Sequence, residues 1–242
     1  MPLSDLPSPV LPPPGRLALL LDFDGTLVEL APTPDSVVIP PGLGDLLARL
    51  SLRLDGALAL VSGRPLGDLD RFLPGVPVAL AGEHGGVFRL SPTAETIRPD
   101  LPSVPEAWRE AAKRMVASHP GAIYEPKARG FVVHYRAIPE AGEALRAPLA
   151  AMVAGDDAAH FALLASHMAW EIRPRGADKG SAVGFLLARA PFAGRIPVFI
   201  GDDVTDADGM RAARAAGGQG LYVHEAFGDP AGVRRWLGQL AL

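Results

Sequence analysis

The 242-residue chain contains no cysteine. Disulfides, thiol nucleophiles and cysteine-ligated metals are therefore excluded, and a cytoplasmic location is the expectation. It also has no surplus of positive charge. With 23 basic and 27 acidic side chains the formal net charge is −4, which argues against nucleic acid or an anionic membrane as the main partner. Apolar runs such as residues 17–21 are strand-sized, well short of the roughly 18 residues a membrane helix needs. The N-terminus lacks the basic segment and apolar stretch of a signal peptide. The six histidines are scattered, with no pair at metal-ligand spacing. Lysine is scarce, with Lys113, Lys127 and Lys179 standing against twenty arginines, so each lysine is a candidate for a local role. Lys113 carries no signal beyond a helix surface.

What is present is the composition of a globular protein, 48% apolar and 21% charged, long enough for one large domain or two small ones. Residues 1–15 hold six prolines and read as an extended or disordered tail. Residues 16–22 form an unbroken apolar run closed by acidic residues, the pattern of a strand buried on both faces of a parallel sheet. Leu43, Leu46, Leu47, Leu50 and Leu54 then recur at helical spacing between Pro40-Pro41 and Gly56. Further buried strands are expected at 57–61 and 76–81, giving the rhythm of a doubly wound α/β core. The rhythm changes after a proline-rich stretch at 99–105. A helix to about 118, strands at 122–125 and 131–135, a helix at 140–153 and strands at 160–165 and 168–173 make an α+β unit. The α/β rhythm resumes with a helix from about 179, a strand at 197–200, a helix after Asp206 and a strand near 220–223. The expected organisation is a tail (1–15), a discontinuous core (16–102 and 174–242) and an inserted α+β cap (103–173). The two linkers, near 99–105 and 173–177, are possible hinges.

The chemistry-bearing residues fall at the ends of the core strands, where ligands bind in open α/β sheets. Asp22-Phe23-Asp24-Gly25-Thr26 places two carboxylates two residues apart, hence on one side of an extended chain. Such a pair needs a cation or a shared proton, and magnesium, which favours carboxylate, carbonyl and phosphate oxygens, suits it. Ser62 offers a hydroxyl to a phosphoryl oxygen, although Ser62-Gly63-Arg64 alone reads equally well as a plain turn. Lys179 opens a helix after Gly176-Ala177-Asp178, so an ammonium and a helix N-terminus can meet one anion. Gly201-Asp202-Asp203-x-x-Asp206 adds three carboxylates at another strand end, a grouping suited to holding a metal or a lysine.

In these residues the chain resembles the phosphatases of the haloacid dehalogenase superfamily. Asp22/Asp24, Ser62, Lys179 and Asp202/Asp203/Asp206 match its four motifs in order and spacing. The resemblance implies a doubly wound, Rossmann-like core. It further implies that Asp22 attacks phosphorus to give an aspartyl-phosphate and that Asp24 serves as acid and then base. Ser62 and Lys179 would hold the phosphoryl oxygens. Mg2+ would be bound by Asp22, the Asp24 carbonyl and Asp202, with Asp203 and Asp206 in support.

Gly82-Glu83-His84-Gly85, Glu125-Pro126-Lys127, His134-Tyr135-Arg136, Glu171-Ile172-Arg173-Pro174 and Asp202-Asp203-Val204-Thr205-Asp206 resemble the trehalose-6-phosphate phosphatases in particular. The resemblance implies that Glu125, Lys127, Arg136 and Glu171 bond the hydroxyls of the far glucose. Glu83 and His84 would line the passage between core and cap, and Gly63 and Arg64 would join the substrate-binding set. Charged residues on paired cap strands are usually a solvated face, and Glu125 with Lys127 could simply be a surface pair. The scarcity of lysine and the match of the whole string put the functional reading ahead, while His134 is equally a packed side chain. Pro126 stands where the family often has an acidic or polar residue, which calls the pairing of that strand into question. The implied partner is a small sugar phosphate. Related phosphatases acting on sucrose phosphate or mannosylglycerate phosphate share the core motifs, and a non-catalytic sugar-phosphate-binding regulator is a third reading.

Overall fold

All five residues of the first strand, β1 (Leu17–Leu21), are buried, and they alternate between two hydrophobic clusters. Leu17, Leu19 and Leu21 belong to one, Ala18 and Leu20 to the other. That alternation follows from the two-residue period of a strand covered on both faces. The computed structural model describes residues 9–166 and 168–242, so the first half of the proline-rich tail lies outside the described residues. The part described is held rather than loose: Gln219 donates to the Val10 carbonyl at 2.7 Å, and Leu11 packs against the first cluster.

The chain divides into two compact units, one made of residues up to Arg98 together with Asp178–Leu242, the other of Pro99–Ala177. In chain order the first unit begins with β1, α1 (Leu43–Arg53), β2 (Leu58–Val61), α2 (Leu66–Phe72), β3 (Ala79–Gly82) and β4 (Val87–Arg89). The strand expected at 76–81 starts three residues late because Pro77 has no N–H to give a ladder. Strand β4 carries no periodic signal in the sequence; it has only three residues and pairs antiparallel with β3.

The second unit contains α3 (Glu106–Ala117), β5 (Ile123–Pro126), β6 (Phe131–His134), α4 (Gly142–Met152), β7 (Phe161–Ser166) and β8 (Ala169–Pro174). Its sheet has the order β5-β6-β8-β7 and is antiparallel throughout. Ala112 of α3 and Leu145 and Leu149 of α4 cover one face, against Phe131, Val133, Phe161 and Ile172. The unit extends beyond 103–173 at both ends. Val104 is buried in this cluster and its N–H bonds the Arg129 carbonyl, while Arg129 reaches back to the Pro99 carbonyl at 2.7 Å. Pairing at Pro126 is intact, in register with Phe131. β5 is an edge strand, where a missing N–H is tolerated.

The first unit resumes with α5 (Lys179–Leu187), β9 (Ile196–Gly201), α6 (Ala207–Ala215), β10 (Gln219–Tyr222), α7 (Val223–Ala226) and α8 (Pro230–Leu240). Its sheet runs β10-β9-β1-β2-β3-β4 and is parallel except at β4. Buried residues of α1 and α8 cover one face and those of α5 and α6 the other. This is the expected doubly wound α/β core. Replacing a fully buried leucine of β1 by alanine would cost about 2–5 kcal/mol. No helix among the described residues is long and apolar enough to cross a membrane.

Candidate active site

Strands β1, β2 and β9 are parallel neighbours, so the residues that follow them emerge on one edge of the sheet. Asp22 follows β1 directly and is nearly inaccessible, its N–H bound to the Ile200 carbonyl of β9 at 2.9 Å. Lys179, the first residue of α5, is also buried. Its Nζ donates to Asp22 Oδ1 at 2.7 Å and to Asp206 Oδ1 at 2.5 Å. Helix α5 starts here because the Asp178 carboxylate caps it, accepting from the Ser181 N–H at 2.7 Å. The other oxygen of Asp206 accepts the N–H groups of Asp202 and Asp203 at 3.1 and 3.0 Å. Asp206 thus fixes the loop after β9 and orients the lysine at once. Asp203 is exposed and turned to the Val204 N–H at 2.5 Å. Thr26 donates its hydroxyl to Asp22 Oδ2 at 3.2 Å. It lies within the first motif, but no role is readable for it from sequence.

Two glycines make this packing possible. Gly25 has φ +77°, and a Cβ there would collide with the Asp202 carboxylate; a Cβ on Gly201 would collide with that of Asp206.

Oxygens of Asp22, Asp202 and Asp206 all lie within 4.8 Å of one another. Burial raises the Asp22 carboxyl well above the usual carboxylate range; Lys179 pulls it down, while Asp206 and Asp202 push it up. Burial disfavours the charge of Lys179 as well, but Asp22 and Asp206 outweigh it and raise its pKa. The Asp202 carboxyl is pushed up to about 6 by burial and by Asp206 and Asp203. Three carboxylates against one ammonium leave an excess of negative charge on hard oxygen donors. A magnesium-sized dication fits that donor set.

Ser62 follows β2, is buried, and accepts the Arg64 N–H at 3.2 Å. Arg64 in turn grips Asp24 with two bonds, Nε at 2.6 Å and Nη2 at 2.8 Å, with its guanidinium over the Phe72 ring. Asp24 is therefore held by Arg64 and is not part of the Asp22–Asp202–Asp206 carboxylate group. His84 packs on Gly63, where a Cβ would strike its ring. Both Glu83 and His84 have left-handed backbone, φ 51° and 56°, a strained conformation for residues with side chains that tends to occur at functional sites.

In the second unit, the sheet face opposite the helices is charged. Glu125, Val132 and Glu171 stand side by side across β5, β6 and β8. One oxygen of Glu125 meets Lys127 Nζ at 2.5 Å and the other meets His134 Nε2 at 2.7 Å. The His134 bond, against burial and with help from Lys127, lowers the Glu125 carboxyl to about 2. His134 is thus bonded to Glu125 rather than a packed core residue. Glu171 is buried beside Arg173. Arg136 does not sit in a strand: β6 ends at His134, and Arg136 lies exposed in the following turn. The two-residue period from Glu171 places Arg173 on the same face.

The trehalose-phosphatase family matches residues 20–229. The trehalose-6-phosphate phosphatase of Escherichia coli K12 is 36% identical over 210 residues, which are 86% of this chain and 78% of that protein. The probable trehalose-phosphate phosphatase of Sinorhizobium fredii is 37% identical over 225 residues, 92% of this chain and 82% of that one. Among solved structures, the C-terminal domain of C. albicans trehalose-6-phosphate phosphatase has the same fold, with TM-score 0.72 at 21% identity, covering 94% of this chain and 93% of that chain. A match over most of the chain, joined to a sheet edge that gathers the strand-end motifs, means that the chain belongs to the trehalose-phosphatase family.

Proposed function

We propose that the protein hydrolyses trehalose 6-phosphate to trehalose and phosphate through an aspartyl-phosphate on Asp22. The observation that carries this reading is the buried Asp22–Lys179–Asp206 contact at the sheet edge, beside Asp202. Asp22 Oδ attacks phosphorus, and the bond from phosphorus to the sugar oxygen breaks as Asp24 gives that oxygen a proton. Water then attacks the aspartyl-phosphate, Asp24 takes a proton from it, and the bond from Asp22 to phosphorus breaks. Arg64, bound to both oxygens of Asp24, positions it. Lys179 and the Ser62 hydroxyl hold the phosphoryl oxygens, so that most of the catalysis is positioning and charge stabilisation. A magnesium ion held by Asp22, Asp202 and the Asp24 carbonyl would screen the repulsion between carboxylate and phosphate. Asp206 and Asp203 shape the loop that presents Asp202. Glu83, His84, Gly63 and Arg64 bind substrate beside the reacting group, and Glu125, Lys127, Arg136 and Glu171 bind the sugar. A charged but balanced sheet face suits a polyhydroxylated ligand, which offers many donors and acceptors and little apolar area.

The test is phosphate release from trehalose 6-phosphate and a panel of other sugar phosphates, each with magnesium and with chelator. The expected result is magnesium-dependent release with preference for trehalose 6-phosphate. Preference for another sugar phosphate would overturn the sugar assignment, and release undiminished by chelator would overturn the metal assignment.

A further inference from the structure

Asp24 is carried on a turn that closes on itself. The Phe23 carbonyl accepts the N–H groups of Leu27 and Val28 at 2.9 and 3.1 Å, and Gly25 donates to the Val28 carbonyl at 2.8 Å. The same turn carries Thr26, whose hydroxyl reaches Asp22. Its exit is gripped from near the other end of the chain. Arg234 of α8 donates through Nη1 to the Leu27 carbonyl and through Nη2 to Glu29 Oε1, both at 2.8 Å. Helix α8 is fixed in reach of the turn by two features. The Asp229 carboxylate caps it, accepting from the Gly232 N–H at 2.6 Å. Val233 and Leu237 are buried in the same cluster as Leu27 and Val28. Leu27 is fully buried, so its carbonyl would be costly to leave unanswered. Glu29 is more than half exposed, and its bond from Arg234 holds its carboxyl below the usual value. One Arg234 bond thus holds the main chain of the turn, and the other aims the guanidinium.

We infer, on the reading of Asp24 as proton donor to the leaving oxygen, that Arg234 is a positioning residue for that acid. By fixing the Leu27 carbonyl it fixes the 23–28 turn, and with it where Asp24 stands relative to Asp22. Arg64 holds the Asp24 carboxylate, and Arg234 holds the backbone beneath it. A misplacement of about 1 Å costs a reaction step about a hundredfold. The loss is selective, because a proton helps a leaving oxygen in proportion to its basicity. A sugar alkoxide or a phenolate needs it; a p-nitrophenolate, whose charge the nitro group spreads, needs it far less.

The experiment compares kcat/KM of Arg234→Met on phenyl phosphate and on p-nitrophenyl phosphate, with magnesium present. The two esters are nearly alike in shape and carry no sugar, but phenolate is as basic as the tyrosine side chain, with a pKa of about 10. This ratio covers only the steps up to departure of the leaving group, so the later role of Asp24 toward water does not enter. The loss expected on phenyl phosphate is about ten- to a hundredfold. On p-nitrophenyl phosphate kcat/KM stays within about threefold. Equal losses on both esters, or none on either, would reduce the contact to a structural one and overturn the inference. If Arg234→Met does not fold, Glu29→Ala decides, since it loosens the same grip at an exposed residue. The same split, about threefold or more, supports positioning, and its absence overturns it. Asp24→Asn separates this inference from the reading beneath it. That variant should show the split at full size, and its failure to do so would overturn the acid role of Asp24 itself.

Discussion

In the α/β unit the candidate catalytic carboxylates stand just past the ends of strands whose side chains are nearly all buried, whereas in the α+β unit the charges ride inside strands that helices cover on one face only. The first arrangement concentrates charge. Asp22, Asp202 and Asp206 crowd around one lysine, and backbone hydrogen bonds and glycine clearances fix their geometry. The second distributes charge in near-neutral pairs, Glu125 with Lys127 and His134, Glu171 with Arg173. An overcharged cluster suits a cation and a phosphoryl group; a balanced face suits neutral hydroxyls.

The contrast can be tested from its strongest side. Asp22→Asn removes the attacking group and should lower turnover of every phosphate ester by about 10⁴-fold or more while the protein stays folded. Turnover retained in a folded variant would remove Asp22 as nucleophile. Asp202→Asn should weaken the cation site without substrate present. Magnesium at a hundred times its Kd stabilises a folded protein by about 2.7 kcal/mol, and thermal melting should show that shift in the unmodified protein and a much smaller one in the variant. An equal shift in both would place the cation elsewhere.

On the other unit, Glu125→Gln or Lys127→Met should cost about tenfold or more in kcat/KM on trehalose 6-phosphate and little on p-nitrophenyl phosphate. Equal losses would make the face structural. The smallest effect is one of acidity. The Glu125 carboxyl, lowered from 4.5 to about 2 by His134 and Lys127, contributes stability above its unfolded value that is lost as pH falls toward 2. Acid titration of thermal stability should be flatter in Glu125→Gln across that window; identical curves would mean the ion pair contributes nothing.

The same contrast explains what the sequence made legible. Residues at strand ends follow apolar runs and come with glycines, so Asp22, Asp24, Ser62 and the Asp202–Asp206 loop stand out as motifs, while Lys179 stands out as a rare lysine opening a helix. Their contacts were less visible: nothing local in sequence tells that Arg64 reaches forty residues back to Asp24, or that Asp206 splits its two oxygens between Lys179 and the backbone. In the α+β unit the period of two marks a face but does not say which face helices cover, and so the burial of Glu171 and Arg173 is not readable from sequence. The short edge strand β4 was invisible for want of length, and the late start of β3 is the effect of one proline.

The central claim, that Asp22 and not water attacks phosphorus, is tested most directly by the stereochemistry of hydrolysis. Trehalose 6-phosphate whose phosphorus is made chiral with sulfur and oxygen isotopes would be hydrolysed in isotopically labelled water, and the configuration of the released thiophosphate determined. Two successive in-line displacements, first by Asp22 and then by water, predict retention. Inversion would show a single direct attack by water and contradict the account.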